Sequence, residues 1–346
     1  MTTRMIGDVP ITHVEEIPRL AFPPGDLLPD MSREALDKHA AWLRPDHYDA
    51  DEDLVIMSVH SWVIKTARHT ILVDTCSGNH KERPSLPPFH QLDVPYMERL
   101  AAAGVHPEQV DFVMCTHLHL DHVGWNTRLE NGRWVPTFPN AKYLFSKIEY
   151  DHWAAIAEAG TDDDGVDGAL VYADSILPVV EAGLTEMVEG THAMDDQLVI
   201  EPAPGHTPGS VTLMLTVGDE EALFAGDTLH HPLQVYYPEC NSAFCLEPDV
   251  ARATRRRLLE ESADRPRLFL PAHFAGSGVS RVVSDGDGFA LEFRGAGRAR
   301  LLDEIAGDPP GAVGVGHRGH RLNARCLVFE GGIELNHDIL SARRAG

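Results

Sequence analysis

Apolar and polar positions alternate along most of this chain in short runs broken by turns. Residues 54–65 and 70–74 are rich in β-branched side chains and flank a turn at 67–69, which predicts two strands. Residues 110–115 form a continuous apolar run, the pattern of a strand buried on both faces. Further strands are expected at 142–145, 197–201, 211–217, 222–225 and 267–270. Helical spacing predicts helices over 32–42, 96–103, 147–158, 170–182 and 249–262, the second closed by Gly104. Residues 1–50 are otherwise Pro-rich and read as irregular, and 78–95 reads as a loop long enough to be a functional flap. Two β-rich halves, each with helices, predict an α/β protein, a four-layer αβ/βα sandwich with its site at one edge. The chain divides into an N-terminal extension packing on the core (1–50), a catalytic domain (51–290) and a C-terminal extension (291–346).

Composition narrows the class. With 43% hydrophobic and 24% charged residues, the chain reads as an ordinary globular protein with a large core. No stretch approaches the roughly 18–20 apolar residues needed to span a bilayer. Residues 1–10 lack the apolar core of a signal peptide, so the expected location is the cytoplasm. A formal net charge of −24 repels phosphate backbones and argues against nucleic-acid partners. Five cysteines with no CxxC pair read as buried or free thiols. The partners expected are a small-molecule substrate, no nucleic acid and no membrane, with a homodimer left open.

Candidate chemistry concentrates where the apolar run 110–115 ends, in Thr116-His117-Leu118-His119-Leu120-Asp121-His122. Histidines two apart on an extended segment project to one side, so His117 and His119 can grip one cation. Asp121 and His122 follow where the chain turns and can face a second. Three later segments repeat the design of a strand followed by a ligand type: His206 in Pro204-Gly205-His206-Thr207-Pro208-Gly209, Asp227 in Gly226-Asp227-Thr228, and His273 in Pro271-Ala272-His273. Imidazole and carboxylate donors suit zinc, and also iron, manganese or cobalt.

This ordered series is similar to the metallo-β-lactamase superfamily over about residues 50 to 280. The resemblance implies that His117, His119 and His206 hold one metal, that Asp121, His122 and His273 hold another, and that Asp227 bridges them. It also implies that Asp74, at the end of a strand, orients a ligand histidine from behind. Two divalent ions, most simply zinc, would then share a hydroxide that attacks an electrophilic centre, with no side-chain nucleophile and no G-x-S-x-G elbow. Asp121 would handle the nucleophile's proton, and Asp227 or His230 that of the leaving group. Members that open lactones often carry tyrosine three positions after the bridging aspartate, where this chain has His230.

The presence of Asp227 argues against β-lactamases of the fold, and that of His119 against its flavodiiron members. The run 230–235 is similar to the methyl parathion hydrolase-like branch, which includes lactonases and organophosphate hydrolases. The expected activity is hydrolysis of a small ester or lactone, with phosphotriester, aryl ester or thioester hydrolysis as alternatives and a mononuclear iron sulfur dioxygenase as the competing class. Trp125, Phe89 and Phe244 are candidate pocket residues, whereas Trp153 and Phe138 are expected in the core. The run Arg255-Arg256-Arg257 is expected to face solvent. Neither the acidic stretch 162–165 nor the pair His317 and His320 carries the spacing and partners of a metal site.

Overall fold

The strand Thr70–Val73 shows how this chain divides its apolar residues between cores. Successive side chains of an extended chain point to opposite faces, so Ile71 and Val73 go one way and Leu72 the other. Ile71 and Val73 join Trp62, Met114 and Leu144 against Leu213, Phe224 and Leu270, in a core between two sheets. Leu72 joins Val113 and Tyr143 under Leu100 and Trp153, in a core between sheet and helices. On the far side Leu223, Ala225 and Phe269 pack against Leu258 and Leu259 of the helix Pro248–Ser262. The order is helix, sheet, sheet, helix, as the pattern predicts. The structure is a computed structural model, described for residues 1–160 and 167–293.

Among the described residues, the first sheet has eight strands. Thr2–Ile6, Val9–Phe22, Leu54–Lys65 and Thr70–Val73 run antiparallel in that order, and Phe112–Met114, Lys142–Ser146 and Thr185–Val188 follow in parallel. The short strand Tyr48–Asp49 adds to Leu54–Lys65. The second sheet has seven strands in chain order, from His192–Ala193 to Gly288–Phe293, with one parallel pair, Glu220–Gly226 and Arg267–Pro271. Candidate ligands follow the carboxyl ends of these parallel strands, where open α/β sheets place their sites.

The N-terminal segment differs from expectation. Residues 1–22 form a hairpin turning at Gly7 and pair with the strand Leu54–Lys65. Its prolines suggested irregular chain, but Pro10 sits in register opposite Met5, and Pro18 falls where the register shifts between Ile17 and Leu20. A bulge needs no ladder hydrogen bond there, so a proline is tolerated. The helix Arg33–Leu43 begins as expected, Ser32 accepting from the Ala35 N–H at 3.1 Å. The hairpin of Thr127–Glu130 and Arg133–Pro136 was not anticipated, although Asn131-Gly132 at its turn, both with positive φ, is the usual two-residue hairpin signal. The helix expected over 170–182 runs over 168–181 and contains a π-helical turn, Tyr172–Ile176. The acidic stretch 162–165, the tail with His317 and His320, and Cys326 lie outside the described residues. The four described cysteines are free and buried.

Two histidines buried away from the strand ends make stability pH-dependent. Burial pushes His13 and His47 down to about 3, against 6.5 for a free imidazole. Both are neutral in the folded chain and protonated in the unfolded chain below about pH 6.5. Stability is therefore full above pH 6.5 and is lost as pH falls toward 3. The urea-denaturation midpoint is expected to drop between pH 7 and pH 4.5, and His13→Leu to flatten that drop. Equal slopes for the two proteins would contradict the assignment.

Candidate metal centre

The site is assembled from chain that has just left a strand. After Phe112–Met114 the chain bends at Thr116 and His117 and again at His119, which stands at the N-cap position of the short helix Leu120–Val123. This path brings His117 and His119 together, and the helical turn swings Asp121 and His122 beside them. His206 stands on a loop wedged between two helices. A Cβ on Gly205 would lie 2.2 Å from the Ala251 backbone nitrogen, and one on Gly209 would lie 2.2 Å from that of Glu149. The glycines of this loop are therefore demanded by close backbone approach. Asp227 follows Glu220–Gly226 and His273 follows Arg267–Pro271.

All seven candidate ligands converge. His117 Nε2, His119 Nδ1 and His206 Nε2 form a triangle with sides of 3.1, 3.1 and 2.9 Å. Ligands of a tetrahedral ion held at about 2.0–2.1 Å stand about 3.3 Å apart, so this triangle fits such a cation. In a second group, Nε2 of His122 and of His273 each lie 3.6 Å from an Asp121 carboxylate oxygen. Asp227 stands between the groups: Oδ2 is 3.3 Å from His206 Nε2 and 3.1 Å from His273 Nε2, and Oδ1 is 3.3 Å from His122 Nε2. His122 Nε2 and Asp227 Oδ1 are buried without hydrogen-bond partners among the described residues. Orphaned atoms of this kind are costly in a folded core unless an ion takes them up.

Electrostatics divide the imidazoles. Burial pushes His117 and His206 well below the usual range and His119 to about 4, so all three present lone pairs. Burial also pulls on His122 and His273, but the carboxylates of Asp227 and Asp121 outweigh it and hold both above 6.5. Burial alone would raise Asp227; His273, His122 and His230 instead keep it well below the usual carboxylate range.

The ligand rings are oriented from behind. Asp74 accepts from Thr116 N at 2.7 Å and Thr116 Oγ1 at 2.9 Å, and its Oδ2 lies 2.9 Å from His122 Nδ1. His273 Nδ1 lies 2.9 Å from the Ser58 carbonyl oxygen. In each case Nδ1 is engaged and Nε2 is left for the centre. His230 lies 3.1 Å from Asp227 Oδ2 through Nε2 and stacks between His273 and Phe244.

One face of the centre opens on a cleft of about 410 Å³, counted to its open mouth. Phe89 and Phe244 line it, with His119, Asp121, His206, Asp227, His230 and His273 at its floor. Leu20 and Phe22 from the N-terminal hairpin, Met57, Leu86 and Leu120 complete the apolar wall. Leu20 and Phe22 were missed because the segment 1–22 read as irregular. Leu86 and Phe89 belong to the loop 78–95, which Arg83 anchors through a bidentate pair with Asp174, both bonds 2.8 Å. Trp125 does not line the cleft: its indole stacks on Tyr96 and donates to Glu16 at 2.6 Å, inside the core. Trp153 and Phe138 are buried in the core as expected.

Arg255 departs from the expected solvent-facing run. It is fully buried and donates to the carbonyls of Thr228, Pro238 and Cys240 and to Asn241 Oδ1, at 2.7–3.0 Å. It thus braces the chain that follows Asp227, while Arg256 and Arg257 pair with Glu260 and Glu261 on the exposed face. The helix signal was available, since Ala251, Arg255, Leu258, Leu259 and Ser262 share one buried face.

Comparison with known proteins agrees with this architecture. N-acyl homoserine lactonase AttM of Rhizobium radiobacter is 27% identical over 145 residues, 39% of this chain and 48% of that protein. The matched stretch thus spans about half the length of that curated relative. The fold is similar to that of AidC, a dizinc quorum-quenching lactonase solved with a product (TM-score 0.70, 20% identity, 84% of this chain and 96% of that one). It is equally similar to that of the hydrolase AbOPH (TM-score 0.69, 24% identity, 84% and 95%). Among the described residues no helix is long and apolar enough to cross a membrane. The family model for the metallo-β-lactamase superfamily matches residues 55–273, more than half the chain and all seven converging side chains, and the protein belongs to that superfamily.

Proposed function

We propose that this protein is a dinuclear metal-dependent hydrolase of small, uncharged esters or lactones bearing an apolar substituent. One observation carries the proposal: Asp227 stands against two groups of ligand atoms at the floor of a cleft whose wall is apolar and, among the described residues, holds no lysine or arginine. His117, His119 and His206 would hold one ion, Asp121, His122 and His273 the other, and Asp227 would bridge them, with zinc favoured by the donor set. Ions bound there supply a water of lowered pKa as nucleophile and polarise the oxygen of the scissile group.

The chain's own groups divide the remaining work. Asp121, on the cleft floor and partly exposed, is placed to take the nucleophile's proton. Asp227 stays ionised among its imidazoles and is a poor acid, and burial lowers the pKa of His230 so that it is neutral. The proton that Asp121 takes from the nucleophile is therefore assigned to the leaving oxygen, with His230 lining the cleft beside it. Phe89, Phe244 and the aliphatic wall exclude water and receive the apolar substituent. The lactonase names of AidC and AttM support the same substrate class.

The test is a panel assayed with zinc-reconstituted protein: N-acyl-homoserine lactones, simple lactones, aryl esters, phosphotriesters and glutathione thioesters. Uncharged lactones and esters with apolar chains are expected to show the highest kcat/KM, with glutathione thioesters at least about 10²-fold lower, because their carboxylates meet no lysine or arginine among the described residues of the cleft wall. Preference for the charged thioesters would overturn the substrate class. A single iron with oxygen consumption would overturn hydrolysis altogether.

A further inference from the structure

The three nitrogens of the His117, His119 and His206 triangle come from loops about 90 residues apart in the chain. Their spacing therefore depends on whatever ties one loop to the other. Val211 N–H donates directly to the Thr116 carbonyl at 2.8 Å, and Glu149 adds a side-chain tie nearer the two ends. It lies in the first turn of the helix Lys147–Ala159 and is 1% exposed. Its Oε1 accepts from the backbone N–H of Leu118, between His117 and His119, at 3.1 Å, and from Trp153 Nε1 at 2.7 Å. Its Oε2 accepts from the backbone N–H of Gly209, three residues after His206, at 2.9 Å. One buried carboxylate thus grips both loops. The tightness of the fit is independent of the hydrogen bonds, since a Cβ on Gly209 would stand 2.6 Å from Glu149 Cα. Trp153, held by the same oxygen, packs edge-on against the His119 ring with centroids 5.3 Å apart.

No hydrogen bond of Glu149 reaches the second group. His122 is oriented by Asp74, and His273 by the Ser58 carbonyl. Glu149 thus supports the first group alone, whereas Asp74 orients His122 directly and reaches His117 only through the Thr116 hydroxyl, 3.1 Å from His117 Nδ1.

We propose that Glu149 is a positioning residue that sets the spacing of the His117, His119 and His206 triangle, and with it the affinity for one of two metal ions. The proposal rests on the dinuclear reading above. Loss of the carboxylate frees the Leu118 and Gly209 N–H groups and lets the loops separate, so a ring nitrogen leaves its place in the triangle. Outer supports of ligand histidines commonly govern affinity by about 10–100-fold. Glutamine at this position keeps the shape and one acceptor oxygen, but its amide N–H₂ cannot accept from Gly209.

The test uses the full-length protein, stripped of metal and titrated with Co²⁺ while the visible absorption of the bound ion is followed. Glu149→Ala is expected to weaken one of two binding events by about 10–100-fold, alter that ion's spectrum and leave the other event within about threefold. Glu149→Gln, which preserves packing and serves if the alanine variant fails to fold, is expected to give a smaller loss in the same event. Asp74→Asn is expected to weaken the other event most, because Asp74 bonds His122 directly and touches the first group only through Thr116. Equal weakening of both events by the glutamate variants, or no change in either, would overturn the role given to Glu149. Failure of the unaltered protein to take up two Co²⁺ ions would overturn the dinuclear reading itself, and the role of Glu149 with it.

Discussion

Asp227→Ala is expected to reduce kcat/KM on the best substrate by at least about 10³-fold while the chain still folds, a loss of about 4 kcal/mol in transition-state stabilisation. Asp227 Oδ2 lies 3.1–3.7 Å from ring nitrogens of His273, His230, His206 and His117, and Oδ1 lies 3.3 Å from His122. In the proposed dinuclear centre its removal would take a donor from each ion and leave a cluster of buried imidazoles without its negative charge. The fold should survive, because the strand Glu220–Gly226 is held by pairing on both sides and by a core that does not include Asp227. Metal analysis should give one ion or fewer per chain, with an unchanged far-ultraviolet circular dichroism spectrum. Two ions per chain and turnover within tenfold of the unaltered protein would refute the bridging role.

Removing metal is expected to lower the melting temperature by about 10–20 °C, with recovery on return of Zn²⁺. A ligand that binds only the folded state at about 1,000 times its dissociation constant adds about 4 kcal/mol, and two ions up to about twice that. For a chain of this size each kcal/mol moves the melting point by about 2–3 °C. The chemical reason is visible in the triangle, whose ring nitrogens stand 2.9–3.1 Å apart, and in the buried His122 Nε2 and Asp227 Oδ1, which have no hydrogen-bond partner among the described residues. Such atoms carry a desolvation cost that a cation cancels. Thermal melts with and without a chelator check this. An unchanged melting point after verified metal removal would show that the seven side chains are not a loaded metal centre.

The candidate ligands were legible before any coordinates because His117, His119, Asp121 and His122 stand close together in sequence, and because the ordered resemblance to the superfamily implied His206, Asp227 and His273. The pairing expected of His117 and His119 from an extended period is reached instead through bends at both residues. The apolar runs before Asp74, Thr116, Asp227 and His273 read as strands because both faces of each are buried. The prolines of the first 22 residues defeated the same logic. Whether a proline breaks a strand depends on whether the partner strand needs its N–H, and the partner begins some 30 residues later.

The alternation of side chains pointed to the layered α/β architecture, and the ordered motifs, through their resemblance to the superfamily, named the seven side chains that meet. Only the tertiary structure decided what supports and surrounds them. Glu149, Arg255 and Glu16 look like ordinary charged surface residues in one dimension. They are buried because distant backbone or side-chain groups, of Gly209, Thr228 and Trp125, come to meet them. Trp125 left the cleft for the core, and Leu20 and Phe22 entered its wall, for the same reason. Local periodicity fixes the side of an element on which a residue stands, whereas burial and partnership depend on which remote segment packs there.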